Sequence, residues 1–328
     1  MNLDKPYLKV LYNGKNITED VSASLMSFVY TDNLDDADTI DIQLEDSERK
    51  WQNEWYPDKG AQIQAQIGIA GGLVVDCGAF ELDEIEFSGA PDTVTMRCIA
   101  AGFTDGQKRT GLSHVHEGKT LAEIIRTVAG SAGLTVQGNI GNIRIGRLVQ
   151  RKETDMRFLK RLATEYGYTF NVRNKTAIFY KTTDLEKSSS AATYQKTDLL
   201  NFDLRDKSSG TYKSATIKYH NPETEETVEY TTGEGGLDSS DDTLLLNYTA
   251  ESKAQAIEMA KAALNAANKK QKSGSVSLPG SPLLCSGNVI TLQGLGVLSG
   301  NYIIKSSAHT IGIDEGWLVD AEIYRIDA

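Results

Sequence analysis

The sequence predicts a mainly β protein in which two β modules flank an α+β insert. Three observations carry that reading. Alternating apolar residues mark short strands at both ends of the chain, two amphipathic helices cluster in the middle, and a β segment of the first hundred residues is echoed near the C-terminus. Gly is common at 29 residues and Pro scarce at 6, which suits a turn-rich β protein. A length of 328 residues with 40% apolar content is enough for two or three domains with real cores.

The elements follow in chain order. Leu8, Val10 and Tyr12 alternate up to Asn13-Gly14, a dipeptide suited to a type I′ hairpin turn, with Ile17 starting the return. Ile40, Ile42 and Leu44 form a half-buried strand, and a short helix is expected over 47–55. Ile63, Ala65 and Ile67, then Phe80 and Leu82, then Val94, Met96 and Cys98 complete a small barrel or sandwich. Near residue 105 the pattern changes. Leu121, Ile124, Ile125, Val128 and Ala129 share a helical face behind a Thr120/Glu123 capping box. Phe158, Leu159, Leu162 and Tyr166 stripe a second helix that Gly167 should stop, followed by a hairpin turning near Asn174. From about 185 the β pattern returns around one long helix, capped at Thr249 and burying Ile257, Ala260, Leu264 and Ala267. Ser188 to Ser190 and Gly233 to Asp242 read as exposed loops. The expected division is residues 1–100 for the first module, 101–184 for the insert, and 185–328 for the second module including a helix at 250–270.

The echo sets Gly60-Ala-Gln-Ile63-Gln-Ala-Gln66 beside Gly287-Asn-Val-Ile290-Thr-Leu-Gln293, and Gly78-Ala-Phe80-Glu-Leu82 beside Gly300-Asn-Tyr302-Ile-Ile304.

Charge and motifs exclude several functions. With 34 Lys+Arg against 45 Asp+Glu the net charge is -11, so duplex nucleic acid is a poor direct partner. No run approaches the ~18 apolar residues of a membrane span, and the N-terminus lacks a secretion signal. Cys77, Cys98 and Cys285 are odd in number and far apart, and read as small buried residues made in a reducing cytoplasm. Gly118-Lys119-Thr120 lacks the glycine a phosphate loop needs five positions before Gly118, where Ser113 stands, so the capping box accounts for Thr120. His114 and His116 have usable metal spacing, but His220 and His309 are remote. No G-x-S-x-G elbow occurs, and no carboxylate pair stands out for glycosidase chemistry. The expectation is a protein without catalytic centre, metal or cofactor. The acidic run Asp32, Asp35, Asp36, Asp38, Asp41, Glu45, Asp46 and Glu48 lacks the turn glycine of a calcium loop. It suggests instead a like-charge wall along which a polyanion slides without sticking.

Ala101-Gly102-Phe103 through Gly118-Lys119-Thr120-Leu121, with Ile124-Ile125, resembles the middle of the phage late control protein D family, the baseplate hubs of contractile tails. Asp155 to Gly167 is similar to that family's Phe-Leu-x-x-Leu-Ala-x-x-Tyr-Gly helix. Leu278-Pro279-Gly280 with Leu284, Gly287, Gly300, Tyr302 and His309 resembles its closing barrel. The resemblance runs from about residue 95 to the C-terminus. It implies two tail-tube-like β-barrels joined by an α+β domain, and a homotrimer whose six modules make a pseudo-hexameric ring. The implied partners are a central spike, the tail tube protein, other baseplate proteins and the tape measure protein, with DNA only in transit and no membrane insertion. The implied place is the virion tail baseplate, assembled in the host cytoplasm. Because the sequence ends just after its last strand, the spike is expected to be a separate polypeptide, unlike the fused needle of type VI secretion spike proteins. Within that reading, Asp32, Asp35, Asp36 and Asp38, or Asp238, Asp241 and Asp242, are expected to face the bore or its mouth. The competing readings are a hub of a bacterial contractile injection particle (tailocin or type VI-like), a tail-tip cell-wall hydrolase and a carbohydrate-binding receptor.

Overall fold

A computed structural model describes residues 6–102, 112–221, 225–234, 236–237, 240–312 and 316–326. The first module contributes β1 (Pro6–Tyr12), β2 (Lys15–Asn16), β3 (Leu25–Asn33), β4 (Thr39–Glu45), β5 (Gln62–Ile69), β6 (Val74–Ser88) and β7 (Thr93–Ala100), with helix α1 (Thr18–Ser24) after β2. The middle contains β8 (Leu112–Thr120), α2 (Leu121–Ser131), β9 (Thr135–Gln137), β10 (Arg144–Glu153), α3 (Asp155–Tyr166), β11 (Asn171–Arg173), β12 (Thr176–Ile178) and the short α4 (Thr182–Leu185). Then come β13 (Ala192–Gln195), β14 (Asn201–Asp206), β15 (Ser214–Asn221), β16 (Glu226–Thr232), β17 (Thr243–Ala250) and α5 (Lys253–Asn268). The chain closes with β18 (Lys272–Pro279), β19 (Val289–Gln293), β20 (Gly300–Gly312) and β21 (Gly316–Arg325).

Local sequence explains most of these elements. Asn13 and Gly14 both have positive φ, as a type I′ turn requires, and Tyr12 pairs with Lys15 across it. Thr120 accepts the Glu123 amide while the Glu123 carboxylate accepts the Thr120 amide, completing the expected capping box. Thr154 caps α3, and Gly167 ends it in the left-handed region. Asn174 and Lys175, both at positive φ, turn β11 into β12.

Three local expectations are corrected. The return after Asn13-Gly14 lasts only through Asn16, because Thr18 to Ser24 coils into α1 and buries Val21. The stretch 47–55 is a series of turns, since the buried Asp46 carboxylate accepts the amides of Trp51 and Gln52 and pulls the chain round it. The long helix is capped by Ser252 rather than Thr249, because β17 stays paired with β15 through Ala250. Its buried face is Gln255, Ala256, Met259, Ala260, Leu264 and Asn268, so Ile257 and Ala267 sit only at its margin.

The two modules share one 13-stranded sheet, joined where β3 pairs antiparallel with β20. A single hydrophobic core runs from Val10 through Phe28, Ile42, Phe80 and Met96 to Val276, Ile290 and Ile323. The middle unit has its own core, and α5 belongs to it: Ala256, Met259, Ala260 and Leu264 pack with Leu162, Tyr166, Ala215 and Ile217. Helix 250–270 therefore does not lie in the second module as expected. The chain lays down β13 and β14, returns to the middle for β15 to α5, and then resumes the second module.

The sequence echo is a repeat of strand order. One half runs β3-β4-β7-β6-β5-β1, the other β14-β18-β21-β20-β19-β13, alike except that β1 pairs antiparallel with β5 whereas β13 pairs parallel with β19. Register matches as well. Ile63 opposes Phe80 as Ile290 opposes Tyr302. The amides of Gly60 and Gly287 bond the carbonyls of Leu82 and Ile304, both at 2.8 Å. Each long strand is then bulged at the same place, past Leu82 in β6 and past Ile304 in β20.

Gly167→Ala should lower stability by about 1–2 kcal/mol, because φ is +71° and the new methyl lies 3.0 Å from Ala262 Cβ. A denaturant midpoint unchanged from the parent would contradict this account of the α3 terminus.

Candidate functional site

Strand alternation gives the shared sheet two unlike faces. Phe28, Tyr30, Ile40, Ile42, Met96, Val276, Val319 and Ile323 point into the core. The opposite face of the eight strands from β14 to β6 carries Asn201, Asp203 and Arg205; Ser273, Ser275 and Ser277; Asp320 and Glu322; Ser306 and Thr310; Ser27, Thr31 and Asn33; Thr39, Asp41 and Gln43; Thr95 and Arg97; Glu84 and Glu86, set side by side by the pairing register. It is mostly polar, interrupted by Val29, Ile99, Ala308, Leu318 and Tyr324, of which Ile99 packs against the core of the middle unit.

The cations on this face are held by carboxylates. Arg97 bonds Glu84 and Glu86, both at 2.9 Å, and lies 4.0 Å from Asp41. Arg205 bonds Asp203 at 3.1 Å, and Lys305, at the bulge, bonds Glu322 at 3.0 Å. Burial raises the Asp41 carboxyl above its ordinary value, Arg97 works against the shift, and Glu84 adds to it.

Behind the face lies a buried polar clamp joining all three parts of the chain. Asp32 and Asp38, at the base of the β3–β4 hairpin, are both 0% exposed. Arg173 of β11 reaches both: Nε bonds Asp38 Oδ2 at 2.7 Å, and Nη2 bonds Asp32. Asn171 donates to Asp38 at 2.9 Å, and Tyr30 donates to the same carboxylate at 3.2 Å. From the second module the Ser286 amide bonds Asp32 Oδ2 at 2.9 Å, and the Ser286 hydroxyl also donates to Asp32. Burial raises the Asp38 carboxyl while Arg173 opposes the shift. Burial also works against the Arg173 charge, but Asp32, Tyr30 and Asp38 outweigh it and hold the guanidinium above its ordinary value. His309 is buried alongside, stacked on Tyr30 with ring centroids 5.8 Å apart and tilted against Trp317. Burial pushes its pKa down to about 4.

The acids expected to face a bore therefore separate. Asp32 and Asp38 are corrected: they are sealed structural carboxylates, because the hairpin that carries them is docked on the middle unit. Asp35 and Asp36 are exposed at the hairpin tip, where Asp36 bonds Lys160 of α3 at 3.0 Å. Asp241 and Asp242 are exposed ahead of β17, on a separate three-stranded sheet. Asp238 lies outside the described residues. Of the acidic run, Asp41 is on the polar face; Glu84, Glu86, Asp203, Asp320 and Glu322 join it from other strands, and a period of two within those strands was the available signal.

Among the described residues no group of three or more His, Cys, Asp or Glu could hold a metal. His116 stacks on Phe158 at 5.6 Å while His114 is exposed. Cys77 and Cys98 are buried free thiols and Cys285 is half-buried.

Comparison with known proteins follows the same lines. The family model of the phage tail baseplate hub (GPD) matches residues 107–315. A probable baseplate hub protein of Escherichia phage P2 is 34% identical over 181 residues, which are 54% of this chain and 45% of that protein. The chain thus aligns with about half the length of that relative. In fold, a tail protein from Neisseria meningitidis MC58 superposes with a TM-score of 0.73 at 12% identity, covering 98% of this chain and 97% of that one. An Escherichia coli component of the type VI secretion system superposes with a TM-score of 0.58 at 13% identity, covering 92% of this chain and 73% of that one.

Arg173→Met should cost about 3–5 kcal/mol in urea unfolding, because it leaves two buried carboxylates uncompensated; a loss below about 1 kcal/mol would show that the clamp holds little. His309 adds a pH dependence. Its folded pKa of about 4 lies below its ordinary 6.5, so the unfolded chain takes the proton first on acidification. Its contribution is complete above about pH 6.5 and is lost as pH falls toward 4, by at most about 3 kcal/mol. In His309→Gln, stability measured across that window should fall less steeply than in the parent; identical slopes would contradict the assignment.

Proposed function

The chain belongs to the phage tail baseplate hub family, and we propose that it acts there as a trimeric collar that adapts a threefold central spike to a sixfold tail tube. The observation that carries this reading is the module written twice, with one strand order and one bulge position. Three copies of a duplicated module present six similar faces, so a threefold ring imitates a hexagon. The polar face of the shared sheet would line the passage. Hydroxyls, amides and carboxylates give a polyanion no sticky wall, and the cations there are already occupied by carboxylates. Asp35, Asp36, Asp241 and Asp242 belong to the mouth of that passage rather than its wall. The partners of this reading are the spike, the tube protein, other baseplate proteins and the tape measure protein, with the ring built in the host cytoplasm and carried in the virion tail. Its work is architectural rather than catalytic.

A second reading has specific support. The fold is shared with the type VI component, so the same collar could serve a bacterial injection particle, with spike and tube in the same places.

Electron microscopy of the protein mixed with its spike tests the collar. The expected image is a ring with a threefold axis and six lobes around a central opening; a particle without threefold symmetry, or with only three lobes, would contradict it.

A further inference from the structure

Where the polar face of the sheet meets the middle unit, a cleft of about 450 Å³ opens between the β3–β4 hairpin and the first two turns of α3. That volume lies within the ~300–1,000 Å³ of small-ligand sites. The floor of the cleft is apolar. Ala37 and Met156 are buried, and Ile99 packs on the core of the middle unit.

The rim, in contrast, has hydrogen-bonding capacity to spare. Arg157 is exposed, and among the described residues its guanidinium has no ion pair or hydrogen bond; only its backbone amide is engaged, by the Thr154 hydroxyl. Asn33 gives its Nδ2 to the Ala37 carbonyl at 2.9 Å, which leaves Oδ1 to accept, and the Thr39 hydroxyl beside it has no partner among the described residues. Lys160 is held by Asp36 at 3.0 Å. Two cations against one carboxylate leave the cleft net positive, in a chain whose total is -11.

We infer that this cleft binds the carboxyl terminus of a peptide whose last side chain is apolar. A terminal residue carries its carboxylate and its side chain on one carbon, so it can use both parts of the cleft at once. The planar fork of Arg157 suits the two carboxylate oxygens, while the side chain covers Met156 and Ile99. The last peptide N–H has Asn33 Oδ1 or the Thr39 hydroxyl to donate to. The lining disfavours the nearest alternatives. Inorganic phosphate satisfies Arg157 but leaves the apolar floor wet, and a neutral chain end leaves the guanidinium unpaired. Asp36 works against the ligand, because it repels a carboxylate and occupies Lys160. The inference stands apart from the collar reading; within that reading the cleft opens beside the passage wall, in reach of another protein's chain end.

Methyl NMR tests it on the full chain. The sequence has five methionines, and with their methyls labelled with carbon-13 the Met156 signal is assigned from Met156→Leu. The probes are N-acetyl-leucine, N-acetyl-leucinamide and inorganic phosphate, at equal pH and ionic strength. The expected result is a saturable shift of Met156 with N-acetyl-leucine, with the other two probes binding about tenfold more weakly, as loss of a charge-assisted contact implies. Arg157→Gln should weaken N-acetyl-leucine about tenfold, and Asp36→Asn should strengthen it. The buried Met96 and Met259 signals, which should keep their positions, report that each variant is folded. A Met156 signal that no probe moves overturns the site. Equal binding of the leucinamide, or no change in Arg157→Gln and Asp36→Asn, overturns carboxylate recognition, and phosphate binding as tightly as N-acetyl-leucine overturns the peptide end in favour of a bare anion site.

Discussion

Two carboxylates buried against one guanidinium set the geometry of this molecule. Burying Asp32 and Asp38 without partners would be costly, and Arg173 and Asn171 from the middle unit and Ser286 from the second module reach them. Meeting that requirement brings all three parts of the chain to one point, at the end of the β3·β20 seam. The seam makes two modules one sheet, and the shared core beneath it makes the joint rigid. Hydrophobic burial supplies most of the stability, while the clamp restricts which relative placement of the three parts is allowed.

That placement makes one sheet continuous across both modules, with one mostly polar face. The two halves keep the same backbone features despite different side chains: glycines at positive φ at 60 and 287, bulges at the same step, the same order of neighbours. The residues that differ between halves lie where surroundings differ. Phe28 is sealed beneath β20, whereas its counterpart Phe202 stands at an open edge.

Much of this was legible from local pattern. The Thr120 capping box, the Gly167 stop, the Asn13-Gly14 turn and the alternating strands of both modules depend on neighbours in sequence, and the echo of residues 60–82 at 287–304 needed only comparison of the chain with itself. What local pattern could not show was non-local. Helix α5 reads as part of the second module because it lies between that module's strands in sequence, yet its small face of Ala256 and Ala260 is matched to β15 and α3. The burial of Asp32 and Asp38 was hidden for the same reason: their shared partner Arg173 lies 141 and 135 residues away. A run of acids looks like a solvated surface until the cation that neutralises it is found. The polar face was equally dispersed, assembled two residues at a time from eight strands.

Native-state hydrogen exchange along the seam is the most direct measurement of whether the two modules form one sheet. The account predicts that amides of β3 and of Ser306 to Ile311 exchange only by global opening, with the same free energy as those of β6 and β7 deep in the first module. If the seam amides exchange through a distinctly cheaper opening, while each module stays protected, the modules are independent and the single-sheet account is wrong.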